Sequence, residues 1–167
     1  MLLASKKIKS RKEIAKISAQ LKKQGNVVVT TNGSFDLMHT GHVFLLEEAK
    51  KLGNVLIVGV NTDASVRAYK GKDRPIIPEN ERALMVAAIH CVDYVALFDE
   101  PTCLPWLDEV KPNIHVKDAS WANEKGELIE TKTIEKNGGK VVLLKRKPGL
   151  STTNIVEKIV KVFSKKQ

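Results

Sequence analysis

Only two of the 167 residues are cysteine, Cys91 and Cys103. They lack the short Cys-x-x-Cys spacing of metal knuckles and redox dithiols, so both read as buried thiols of a reducing compartment. Aromatic residues make up 5% of the chain. They are not interleaved with the basic segments, which argues against a nucleic-acid groove built on base stacking. No apolar run reaches the roughly eighteen residues of a membrane span, and no internal repeat or low-complexity segment is present. The start, Met1-Leu2-Leu3-Ala4-Ser5-Lys6-Lys7, lacks a signal peptide's order of charge, apolar stretch and cleavage site. These absences lead us to expect a cytoplasmic protein with neither a membrane nor a nucleic-acid partner.

What is present is a 43% apolar composition and 28 Lys and Arg against 19 Asp and Glu, a formal charge of +9. The length suits one domain with a sizeable core, and the charge suits anionic partners such as nucleotides or sugar phosphates. Much of the basic excess lies near the ends, in Lys6 to Lys23 and Lys158 to Lys166, where solvated helix faces account for it. Residues 1–25 are expected as a helical extension, 26–163 as the main domain and 164–167 as a basic tail.

Residues 10–24 read as a helix, with Ser10 and Glu13 as its capping box and Gly25 as its stop. Short β-branched runs follow at Val27 to Thr31, Val55 to Val60, Tyr94 to Phe98, Ile114 to Val116 and Lys140 to Leu144. Helices are expected between and after them, at 41–52, 79–90, 101–110, 127–137 and 152–163. Pro78 suits a first-turn position, and Ala68 to Asn80 reads as the longest irregular connection. Strands that alternate with helices imply right-handed crossovers and a parallel sheet. The unbroken apolar run Val55-Leu56-Ile57-Val58 fits a strand covered on both faces. The expected fold is α/β, a Rossmann-like parallel five-stranded sheet with helices on both faces.

Thr31-Asn32-Gly33-Ser34-Phe35-Asp36-Leu37-Met38-His39-Thr40-Gly41-His42 leaves the first strand and enters a helix. Ligands in open α/β sheets bind at the carboxyl ends of strands. Gly33 permits a tight turn and close approach of backbone to phosphate. His39 and His42, three apart at a helix start, can project toward one point where unpaired N–H groups already favour an anion. Gly41 removes a side chain from between them. A zinc site or plain packing is the alternative for such a pair. Near the other end, Arg146-Lys147-Pro148-Gly149-Leu150-Ser151-Thr152-Thr153 runs into the final helix. Its hydroxyls can cap that helix, or with Arg146 and Gly149 form a second phosphate cradle. Between these lies Tyr69-Lys70-Gly71-Lys72-Asp73-Arg74-Pro75, then Arg82 on a helix. Lys70 and Arg82 are the candidates for phosphate contact, since a basic loop can close over a triphosphate.

Taken together, Asn32-Gly33-Ser34-Phe35-Asp36, His39-Thr40-Gly41-His42, Val60-Asn61-Thr62-Asp63, Arg74-Pro75, Arg82 and Ser151-Thr152-Thr153-Asn154 resemble the His-x-Gly-His nucleotidyltransferases. The similarity runs over about residues 26–160 and is greatest to the D-glycero-β-D-manno-heptose 1-phosphate adenylyltransferases. It implies magnesium-dependent transfer of AMP from ATP to a sugar phosphate, a homodimer, and a product used in lipopolysaccharide or surface-polysaccharide synthesis. It places Asn32, Gly33, Ser34, Phe35, Gly41, Lys117, Arg146, Gly149, Ser151, Thr152 and Thr153 on the nucleotide. Asp36, Lys72, Arg74, Asp118 and Trp121 fall to the acceptor, with the magnesium held mainly by the triphosphate rather than by side chains. Two features depart from that pattern. Lys117-Asp118-Ala119-Ser120 stands where heptose enzymes carry Lys-Gly-Gly-Asp, and the spacing from Arg146 to Thr153 is similar to the glycerol-3-phosphate cytidylyltransferases. The latter implies CTP and a polyol phosphate as the alternative substrates. A non-catalytic nucleotide or nucleic-acid binding module is the reading from another class.

Overall fold

The structure, a computed structural model, describes residues 3–123, 128–145 and 151–164. Five strands form its sheet: β1 (Val28–Gly33), β2 (Val55–Asn61), β3 (Tyr94–Phe98), β4 (Ile114–Asp118) and β5 (Lys140–Leu144). All neighbours pair in parallel, in the order β3-β2-β1-β4-β5. The helices are α1 (Ala4–Lys7), α2 (Arg11–Lys23), α3 (Thr40–Lys50), α4 (Asp63–Lys70), α5 (Glu79–Ala88), α6 (Leu104–Val110), α7 (Thr131–Lys136) and α8 (Thr152–Phe163).

Alternate side chains of a strand point to opposite faces, and β2 shows the consequence. Leu56, Val58 and Val60 join α3 and α5 residues such as Leu46, Ala83 and Val86 in one core. Ile57 joins Ile14, Phe98, Trp106, Leu107 and Ile134, from the α2, α6 and α7 side, in the other. The sheet is thus covered on both faces, as its unbroken apolar strand requires. Gly59 belongs to that packing, because a Cβ there would stand 2.9 Å from the Trp106 ring.

The N-terminal segment expected as an extension is built into this body. Ile14 is fully buried, Ser18 Oγ donates to Val110 O at 2.7 Å, and Ile8 forms a parallel bridge with Val95. Ser10 and Glu13 make the expected capping box on α2.

Two elements were not expected among the described residues, a single 3-10 turn over Ala119–Trp121 and a helix before the long loop. Residues 63–70 form α4, started by Thr62, whose side chain accepts from Ser65 N at 3.2 Å. Only Ser65 and Val66 of its eight residues are buried, too few to leave a readable helical period. The irregular connection therefore begins at Gly71, whose φ of +93° disfavours continuation by any residue with a Cβ. Pro78 is the N-cap of α5 rather than its first-turn residue. The third and fourth expected helices start later, at Leu104 and Thr131.

Candidate active site

Strand order reverses between β1 and β4, which pair Val29 with Ile114 and Thr30 with His115. A crevice must open beyond their carboxyl ends, since the following segments leave in opposite directions. A cavity of about 490 Å³ lies there, lined by Asn32 to Phe35, the start of α3, the end of α4, Lys117, Asp118, Trp121 and Ser151 to Thr153.

The turn out of β1 passes through Phe35, which is buried and has a φ of +47°. A bulky residue holds that conformation only when packing fixes it. The ring takes up space that Gly33 leaves, since a Cβ on Gly33 would stand 3.3 Å from Phe35 Cε2. The bareness of Gly33 thus admits Phe35, a role additional to any approach to phosphate.

His39 then caps α3. Its Nδ1 accepts from Gly41 N at 3.1 Å, while His42 Nδ1 accepts from His39 N at 3.2 Å. An imidazole that accepts at Nδ1 carries its proton on Nε2 when neutral. The rings lie side by side with centroids 4.0 Å apart, and the Phe35 ring is 5.4 Å from that of His42. Both imidazoles line the cavity.

Lys117 spans the crevice floor. Its Nζ donates to Asn32 Oδ1 at 2.9 Å, pairs with Glu130 Oε1 at 3.3 Å, and lies 5.3 Å from the centre of the Trp121 ring. Asp118 accepts from Ser120 N at 2.9 Å. From the far end of the chain, Ser151 caps α8 by accepting from Asn154 N at 3.1 Å, and Thr152 Oγ1 donates to Leu37 O at 3.3 Å. Ser151, Thr152 and Thr153 all line the cavity, so capping and a position on the cavity wall coexist. Arg146 and Gly149 lie outside the described residues.

Lys70 also reaches the cavity, with Nζ donating to Ser34 Oγ at 3.0 Å. Desolvation at the cavity mouth, then the nearby Arg74, hold its ammonium below the ordinary lysine range, with Asp36 opposing. Arg82 is placed differently from the expectation. It is fully buried, and its guanidinium donates to Asp63 Oδ1 at 2.7 Å, to Ile77 O at 2.8 Å and to Ser34 O. It fastens α4 and the 71–78 loop to the turn after β1 and is not on the cavity wall. Asp36, buried as well, accepts from Arg74 Nε at 2.7 Å and from the backbone N of Ile76 and Ile77 at 2.9 and 3.0 Å. Asp36 and Arg74 therefore secure the loop, and Lys72 is exposed away from the cavity. Of the residues assigned to the acceptor, Asp118 and Trp121 are the two that line it.

Asn61, Tyr69, Cys103 and Glu130 line the cavity without having been assigned to the site. Asn61 was findable, because it ends β2 at the ligand-binding edge of the sheet. Glu130 offered no such signal. Its carboxylate and that of Asp118 are the acidic groups on the described wall, and both accept hydrogen bonds from protein donors. That donor set fits a magnesium ion whose ligands come chiefly from bound phosphates. Two titratable groups near Lys117 are strongly shifted: burial pushes His115 down to about 3 and the Cys103 thiol up to about 12.

Residues 30–158 match the family model described as cytidylyltransferase-like. The bifunctional protein HldE of Trichlorobacter lovleyi is 44% identical over 161 residues, which span 96% of this chain and 32% of that protein. The bifunctional protein HldE of Nitratiruptor sp. is 47% identical over 152 residues, 91% of this chain and 32% of that one. The chain spans about a third of the length of these curated relatives. Among solved structures, the lipopolysaccharide core biosynthesis protein of Thermoplasma volcanium superposes with a TM-score of 0.61 at 32% identity, covering 73% of this chain and 97% of that one. Pantoate-β-alanine ligase of Francisella tularensis, at 15% identity and a TM-score of 0.59 over 96% of this chain and 79% of that one, shares the fold.

Proposed function

The chain belongs to the cytidylyltransferase-like family, and on that premise we propose that it transfers AMP from ATP to D-glycero-β-D-manno-heptose 1-phosphate, forming ADP-heptose and pyrophosphate. The observation that carries this is the histidine pair: both Nδ1 atoms accept backbone N–H groups, which leaves the proton of each neutral ring on Nε2, and both residues line the cavity. Ser151, Thr152 and Thr153 line the same cavity, which supports a second phosphate cradle there.

The acceptor phosphate has a second pKa of about 6, so it is largely dianionic at neutral pH and needs no general base. Its oxygen attacks the α-phosphorus in line as the bond to the departing pyrophosphate breaks. Little covalent chemistry is left to the protein, and rate comes from positioning and charge stabilisation. His39 and His42 donate through Nε2–H to oxygens on which charge builds, and Lys70 adds a positive charge at the cavity mouth that draws in the triphosphate. Lys117, anchored to Asn32 and Glu130, holds a fixed cation on the floor. Arg82, Asp36 and Arg74 act by positioning the loop. Magnesium, bound with the triphosphate, supplies further neutralisation of phosphate charge.

Pyrophosphate release with ATP or CTP, each combined with heptose 1-phosphate or glycerol 3-phosphate, tests the reading. We expect ATP with heptose 1-phosphate to be turned over fastest. Faster turnover of CTP with glycerol 3-phosphate would replace the substrate assignment, and no release with any pair, together with salt-sensitive binding to duplex nucleic acid, would favour a binding module. The homodimer and cytoplasmic setting belong to the same proposal, the former checked by sedimentation equilibrium.

A further inference from the structure

Cys103, His115 and Glu130 come from three separate parts of the chain: the approach to α6, the middle of β4 and the approach to α7. Their side chains are all buried, and Sγ of Cys103, a carboxylate oxygen of Glu130 and a ring nitrogen of His115 lie within 4.8 Å of one another. Cys103 Sγ is 3.3 Å from Glu130 Oε1. His115 Nδ1 is 2.9 Å from Thr30 Oγ1, whereas its Nε2 is buried with no hydrogen-bond partner among the described residues. A buried ring nitrogen without a partner is costly and calls for a reason.

We propose that Cys103, His115 and Glu130 bind one divalent ion of the zinc class, through Sγ, Nε2 and a carboxylate oxygen, with a fourth position toward the cavity. Thiolate, imidazole and carboxylate are the donors zinc takes, whereas magnesium takes oxygen donors alone. Bonds of about 2.0–2.3 Å put tetrahedral donors roughly 3.3–3.8 Å apart. The sulfur–carboxylate pair already has that spacing, and the others need to close by no more than about 1.5 Å. Thr30 supplies the outer hydrogen bond that a metal-bound histidine ordinarily has on its second nitrogen. On binding, the Cys103 S–H bond breaks, a sulfur–metal bond forms and the proton leaves to solvent. Thiolate and carboxylate then neutralise the ion, and Lys117 remains as the net positive charge beside it. Cys103 and Glu130 line the cavity, which gives the ion a way in and ties the segment bearing Ile129 and Glu130 to the sheet. This site does not depend on the transferase reading.

The test uses the whole chain, stripped with a chelator under reducing conditions and titrated with Co²⁺ alone, then with Zn²⁺. We expect one Co²⁺ per chain, a near-ultraviolet thiolate-to-cobalt band, release of one proton per ion, and stoichiometric displacement by Zn²⁺. Cys103→Ser should abolish the band and weaken binding by more than the roughly 10-fold to 100-fold that loss of a supporting partner costs. Glu130→Gln should weaken binding, and Cys91→Ser should change nothing. Absence of a sulfur band in the unmodified chain would overturn the proposal whatever the variants do. Persistence of the band in Cys103→Ser, or its loss in Cys91→Ser, would overturn it too.

Discussion

At the scale of single residues, the site divides into side chains that face the cavity and side chains that hold those in place. His42 does both, because its Nδ1 accepts from His39 N while its ring faces the cavity. Replacing it by alanine removes a donor to developing charge, which should cost roughly 10²-fold to 10³-fold in kcat. It also removes a cap, worth about 1 kcal/mol of stability. His42→Asn, which keeps a side-chain acceptor for the cap, should lose turnover with less loss of thermal stability. Steady-state kinetics and melting curves on both variants check the split, and near-normal turnover in His42→Ala would contradict the role given to this ring. The two histidines were legible because their spacing at a helix start dictates where they project. Arg82 and Asp36 were not, since charged residues are expected at the surface and nothing local says that three partners will bury them.

Lys70 gives the pH dependence. Desolvation and Arg74 lower its pKa below the ordinary 10.5, so a charge that assists at neutral pH is lost as pH rises through a value under that figure. The alkaline limb of kcat/KM for the triphosphate should fall below the normal lysine range. Lys70→Arg, which keeps its charge over the whole accessible range, should move that limb upward, and an unchanged limb would assign it to another group.

At the scale of elements, contact between sheet and helix decides what each position tolerates. Gly59 on β2 faces Trp106 on α6, and a Cβ there would stand 2.9 Å from two ring atoms. Trp106 is fully buried, so the ring cannot swing into solvent. Gly59→Ala should therefore destabilise the fold by about 1–3 kcal/mol through overpacking, read as a lower midpoint in urea with an unchanged slope. A smaller residue at 106 in the same chain should recover part of that loss, since contacting sites are non-additive. Strands were legible because β-branched runs between turn signals have few other homes. Helix α4 was not, as its eight residues carry one short buried face, and its start is held by the Thr62 cap together with the distant Glu79, which accepts from Asp63 N at 2.6 Å.

At the scale of the molecule, the site joins segments far apart in sequence: Thr152 bonds Leu37 across 115 positions. That convergence could be foreseen, because both segments follow strands of one parallel sheet and so emerge at the same edge. The net charge of +9 was less informative, since composition does not say which cations face the ligand. Lys70 and Lys145 lie exposed on the cavity wall, whereas Lys117 is buried and paired with Glu130. Exposed charges are screened over about 10 Å at 0.1 M salt, and buried ones far less. Capture of a triphosphate should therefore be salt-sensitive while turnover is not. Raising inert salt from about 0.05 to 0.5 M at fixed magnesium should increase KM for the triphosphate several-fold and leave kcat nearly constant. Lys70→Ala should flatten that rise, because it removes an exposed cation at the mouth. A kcat that fell with salt while KM held would move the screened charges into the chemical step, and the division between capture at the rim and stabilisation at the floor would fail.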